Sequence, residues 1–268
     1  MSIMTDHPGW LTTAAGDPYR AFTPPGGTAA IVTTSRTIHG DFIVDLAGAG
    51  VRVDWVDPAV LAGPDDLLGP LKAAGVVARV ANPSLWDAMA TAIMRQVVQA
   101  GHARTRFLRF CAAYGTPSHR NGATARAFPD PHRILALSDE DFQTVGAAFP
   151  RAALRNAARA YLAHCDQWEA LTASELVTAL QTVDRIGPWT ARAAVADYTN
   201  DFSLYDYSDM AVQAWAQRLN PDREWPQGAP AFKAAWEETA GNQLSAWTLL
   251  TLAWGISDGK ELDRSTAS

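Results

Sequence analysis

Two spacings of apolar residues divide the chain near residue 82. Before it, short β-branched runs at 28–35 (TAAIVTTS), 41–47 (DFIVDLA) and 51–56 (VRVDWV) are separated by Gly-Pro and Asp-Pro pairs, and the last alternates with period two. They predict a small, mostly antiparallel sheet with one short helix near 64–75. After it, apolar residues at 85, 86, 89, 92, 93, 97, 107, 108 and 111 follow a helical period, with a break near 99–101. "NPS" at 82–84 starts this stretch and Gly115 with Pro117 stops it. Three short helices are expected over 128–164, one of them capped by Ser138 ahead of Asp139, Glu140 and Asp141. Thr172 or Ser174 caps the next, a further helix starts at Pro188, another at Ser208 or Asp209, and two tryptophan-bearing helices close the chain before a loose polar tail at 261–268.

Composition narrows the class. With 268 residues and 48% hydrophobic content the chain can bury a sizeable core. No run approaches the length of a membrane span, and the N-terminus has neither the basic nor the apolar region of a secretory signal, so a cytoplasmic, nucleoid-associated monomer is the expectation. Cys111 and Cys165 are too few for a four-thiolate iron–sulfur cluster, and no side-chain metal site or cofactor is expected. The net charge of −6 argues against binding nucleic acid by bulk attraction. Between Trp86 and Trp215, however, there are twelve arginines and no lysine, which allows a local basic face.

The candidate chemistry lies in "DRIGPWTARAAV" (184–195), a tight interruption between two alanine-rich helical stretches. Gly187 allows a sharp reversal, and Pro188 suits the first turn of the following helix. The N–H groups of Gly187, Trp189 and Thr190 then face outward at a positive helix end, a place that receives phosphate; a plain helical hairpin with Trp189 as filler is the alternative. About twenty residues on, Asp209 opens a helix in "LYDYSDMAVQAW". An N-cap is one role for it. The other is to stabilise a cation developing at a sugar C1′. Asp206 is its rival.

Together these segments resemble the helix-hairpin-helix DNA glycosylase superfamily, of the 3-methyladenine glycosylase II-like branch. Ile186, Gly187, Trp189, Thr190, Ala191 and Asp209 fall on its hairpin and catalytic-aspartate pattern, and "NPSLWDAMATAIMRQVV" is similar to the upstream segment that ends in a glutamine, here Gln96. The resemblance covers about 82–218. It implies a mainly α, α+β fold: an N-terminal β-rich (TBP-like) domain over 1–81 packed on a helical glycosylase domain over 82–260. It also implies double-stranded DNA with a damaged base as partner, Asp209 as catalytic residue, and Arg185, Ile186, Gly187, Trp189 and Thr190 at the DNA backbone, where the hairpin carbonyls could also hold a cation. Gln96, Val97 and Val98 are candidates for a wedge or for buried helix positions; Trp189, Trp247 and Trp254 are candidates for the base pocket or for structural roles.

Bifunctional members of the superfamily carry a lysine where this chain has Trp189, so water is the expected nucleophile and an alkylated purine, a good leaving group, the expected substrate. Two departures stand out: the family's Pro-Gly is Asp184-Arg185 here, and Arg95 replaces a small residue before Gln96. An N-glycosidase of small modified nucleosides and an inactive DNA-binding module are the alternative functions.

Overall fold

The computed structural model describes residues 1–24, 26–36, 42–45, 51–206 and 209–266. The N-terminal part forms two small sheets rather than one. Strands β2 (Leu11–Thr12), β3 (Pro18–Phe22), β4 (Ala30–Arg36) and β5 (Phe42–Asp45) make an antiparallel meander. β1 (Ser2–Ile3) pairs parallel with β7 (Val77–Val80), which pairs antiparallel with β6 (Val53–Val56). Helix α1 (Asp65–Ala74) precedes β7, on the expected stretch, and buries Leu67, Leu68 and Leu71. The predicted strand at 41–47 is described only over 42–45, and its remaining positions lie outside the described residues.

The helical part follows the sequence signals closely. Ser84 caps α2 (Leu85–Met94), accepting from Asp87 N–H at 3.2 Å, and the predicted break separates α2 from α3 (Ala100–Tyr114). One element differs. A stretch to which the sequence pattern assigns no element forms the hairpin β8 (Thr116–Arg120) and β9 (Ala123–Ala127), turned through Asn121 and Gly122, both with positive φ. Ala125 and Ala127 pack on Ala21 and Ile31, so this hairpin joins the helical part to the meander.

Helices α4 (Pro131–Ala136), α5 (Asp139–Thr144) and α6 (Arg151–Glu169) follow; Ser138 and Asp141 form a reciprocal capping box on α5, and α6 runs for 19 residues rather than being short. Thr172 and Glu175 form a second box on α7 (Ala173–Leu180). The chain reverses into α8 (Pro188–Thr199), then α9 (Met210–Leu219), α10 (Ala229–Ala240) and α11 (Leu244–Thr266). Because α11 continues to Thr266, most of the tail expected to be loose is helical. Among the described residues no helix is long and apolar enough to cross a membrane.

A buried polar network fastens the sheets to α2 and α8. Arg79, 1% exposed, donates to Asp6 Oδ2 at 2.9 Å and to Asp197 Oδ1 at 2.7 Å, and also reaches Asn200. Asn82 donates to Asp197 Oδ2 at 2.8 Å. Next to it, Asp87 sits with His7 (3.0 Å) and Arg20 (3.4 Å). The His7 Nδ1 accepts from Gly9 N–H at 3.0 Å, which fixes a neutral ring with its proton on Nε2. Burial, reinforced by Arg20, pushes the His7 pKa down. Asp197 lies on the helix that the hairpin begins, so this network also orients the candidate site.

Candidate active site

Helix α8 starts at Gly187 with no side-chain cap, so the N–H groups of its first turn stay open. The left-handed residue of the reversal is Arg185, at φ 69°, and not Gly187, whose φ of −84° any residue adopts. A Cβ at Gly187 would meet nothing within 4 Å. Neither conformation nor packing inside the protein therefore requires that glycine; it leaves the helix start bare. Asp184 is turned aside, accepting from Asn156 Nδ2 at 3.0 Å and lying 3.6 Å from the Arg185 Nε. Ile186 is buried beneath the turn. Gln96 donates from its amide to Thr190 Oγ1 (2.8 Å) and to the Arg185 carbonyl (3.1 Å). The end of α2 thus braces the hairpin, and that is where the Gln96 side chain is spent rather than in a wedge.

Asp209 caps α9, accepting from Ala211 N–H at Oδ1 (2.9 Å). The alternative cap, Ser208, lies outside the described residues. The other oxygen, Oδ2, accepts from Trp189 Nε1 at 2.5 Å and from the Tyr205 hydroxyl at 3.3 Å. Burial, together with the Asp209 charge, drives the Tyr205 pKa up, so the phenol keeps the proton it donates. The hairpin tryptophan is thus a positioning group for the carboxylate. Asp206 faces a different hollow, lined by Ser174, Arg192 and Lys233, with its carboxylate 3.9 Å from Arg192.

Asp209 opens onto a groove of about 540 Å³ between Val97, Val98, Trp189, Tyr205 and Met210. Beside it lies an inner cavity of about 270 Å³, just under the usual range of ligand sites, which starts at about 300 Å³. Arg95, Ala100, Ala103, Tyr205 and Ala211 line both. Asp6, His7, Arg104, Phe202 and Trp215 close the inner space. At the groove's rim Val97 is 88% exposed at φ 54°, a conformation β-branched residues rarely adopt, and Met210 is 84% exposed. Val98 is half-buried beside it. Met210 was not singled out by the sequence, although its place next to Asp209 at a helix start is a usable signal.

Two expected pocket residues lie elsewhere. Trp247 is fully buried, donates to the Ala62 carbonyl at 3.2 Å and packs edge-on against Trp236. Trp254 sits behind Trp215, with ring centroids 6.5 Å apart. The aromatic wall is Trp215 instead. It reaches the cavity because Gly255 lets α11 approach: a Cβ there would stand 2.2 Å from the Trp215 ring. Among the described residues no cluster of three His, Cys, Asp or Glu side chains is placed to hold a metal ion. Cys111 is buried and Cys165 half-buried.

No family model matches the chain, and no curated protein matches it. Solved structures do. A 3-methyladenine DNA glycosylase from Archaeoglobus fulgidus superimposes with a TM-score of 0.71 at 17% identity, over 94% of this chain and 90% of that one. The fold is that of the helix-hairpin-helix DNA glycosylases. An 8-oxoguanine glycosylase/lyase from Clostridium acetobutylicum, in complex with double-stranded DNA containing cytosine opposite 8-oxoguanine, matches with a TM-score of 0.68 at 11% identity over 95% and 90%. A DNA-3-methyladenine glycosidase from Bacillus halodurans gives 0.53 at 15% identity over 73% and 87%.

Proposed function

We propose that this protein is a monofunctional DNA N-glycosylase that turns a damaged purine out of the duplex into the cavity beside Asp209 and hydrolyses its N-glycosidic bond. The observation that carries this reading is the Asp209 carboxylate, fixed by Trp189 and Tyr205 at the mouth of a base-sized cavity. Such a preorganised charge stabilises an oxocarbenium ion at C1′ and orients the water that attacks it. The bare helix start at Gly187 accepts a backbone phosphate, and Arg185 adds a positive charge next to it. Val97, with Met210 across the groove, fills the gap left by the extruded nucleotide; its strained, exposed backbone suits a residue that functions outside the fold.

Trp189 supports the monofunctional assignment. An indole cannot form a Schiff base with C1′, so the sugar–phosphate backbone stays intact. An alkylated purine is the sequence expectation, and which damaged purine leaves is decided by the groups that line the cavity. The test is incubation with duplex DNA carrying alkylated, oxidised or deaminated purines, with free base measured by chromatography and enzyme–DNA adducts sought with borohydride. Free base with no trapped adduct is the expected result. Salt-sensitive duplex binding without release would turn the reading to a DNA-binding module, and neither binding nor release would turn it to a small nucleoside substrate.

A further inference from the structure

One charged group in the cavity has no part in that mechanism. The Arg95 guanidinium, half-buried, lines both the outer groove and the inner cavity. Among the described residues, no side-chain hydrogen bond or ion pair engages it. The other charges around the space are committed. Asp6 and Asp197 hold Arg79, Arg104 donates to the Pro8 carbonyl at 2.6 Å, and His7 is neutral. Asp209 is fixed by its three donors. Burial opposes the charge of Arg95, but the nearby acidic groups, with Asp6, Asp197 and Asp209 among them, favour it, and the guanidinium stays protonated.

Resting on the glycosylase reading, we infer that Arg95 selects an uncharged purine lesion that presents a carbonyl or ring-nitrogen acceptor, and rejects purines made cationic by alkylation at N3 or N7. A cationic base departs as a neutral molecule and has no use for a cation beside it, whereas a neutral base departs with the electron pair of the broken C1′–N bond. Arg95 stabilises that anion while Asp209 stabilises the C1′ cation. Water then adds to C1′, and its proton passes to Asp209 and on to the departed base, leaving a neutral base and an abasic sugar. A guanidinium without an ion-pair partner also disfavours a cationic base against it, which lowers kcat/KM for that base. Alkylated purines remain substrates where the adduct leaves the base uncharged.

The test compares kcat/KM for base release from duplexes carrying 8-oxoguanine, hypoxanthine or 7-methylguanine, using wild type, Arg95→Gly and Arg95→Lys. The wild type is expected to favour a neutral base over 7-methylguanine by at least about tenfold, Arg95→Gly to lose most of that preference, and Arg95→Lys to keep it. Faster release of 7-methylguanine by the wild type, or the same preference in Arg95→Gly, overturns the inference and leaves the glycosylase reading standing. Release of no base from any duplex overturns both.

Discussion

The two unusual hairpin residues make opposite demands, and exchanging them separates folding from function. Arg185 occupies a left-handed conformation, φ 69°, which costs a residue with a Cβ roughly 1–2 kcal/mol. Arg185→Gly removes that strain, and the looser unfolded chain takes back roughly 0.5–1 kcal/mol. The net gain is about 0.5–1 kcal/mol, a rise in Tm of about 1–4 °C for a protein of this size. Loss of the exposed contact to Asp184 changes this little. In the proposed DNA complex the same variant removes a charge beside a phosphate, so the slope of log K against log salt, for a duplex with an abasic-site analogue, is expected to fall by roughly 0.9. Gly187→Ala behaves the other way. Its φ of −84° and the empty space around a new Cβ admit the methyl group, and the stiffer unfolded chain offsets the poorer N-cap, so stability changes by less than about 1 kcal/mol. The methyl takes space that only a ligand contests, and one lost N–H contact to a phosphate weakens DNA binding about tenfold. Thermal melts and fluorescence anisotropy across a salt series read both effects. A lower Tm in Arg185→Gly, or wild-type affinity in Gly187→Ala, refutes the reasoning.

Further expectations concern the tryptophans and the buried network. Trp247→Ala destabilises by about 3–5 kcal/mol, because it empties a core site, whereas Trp215→Ala mainly slows base release; chemical denaturation and single-turnover kinetics distinguish them. Stability falls as pH drops below about 6.5, since unfolded His7 takes a proton there. Folded His7, its pKa depressed, resists that proton until the pH is lower, so the stability it contributes at neutral pH is lost across this window. Asp87 and Asp197, also depressed, extend the loss at more acid pH. His7→Asn, whose Oδ1 can take over the Gly9 bond, flattens the curve near pH 6 and leaves the acid limb, as melts across pH will show.

Local signals made most of the helical part readable. Ser84, Ser138 and Thr172 cap helices where their sequences indicate, and Asp209 opens α9. The β8–β9 hairpin was harder to see. Asn121-Gly122 is a strong turn signal, but the buried positions of β9 are alanines, too weakly apolar to stand out from their polar neighbours. Which tryptophan reaches the cavity was not readable at all, because it depends on how closely α9 and α11 approach at Gly255, a contact between segments forty residues apart. The bracing role of Gln96 is of the same kind, since its partners lie 89 and 94 residues away.

In the proposed reaction the Asp209 carboxylate stabilises a sugar cation in flipped-out DNA. Single-turnover base release by Asp209→Asn, alongside Asp206→Asn and with affinity for an abasic-analogue duplex measured in parallel, tests it most directly. A loss of at least about 100-fold is expected for Asp209→Asn with DNA binding retained, and near-normal release for Asp206→Asn. Full activity in Asp209→Asn, or a comparable loss confined to Asp206→Asn, would contradict it.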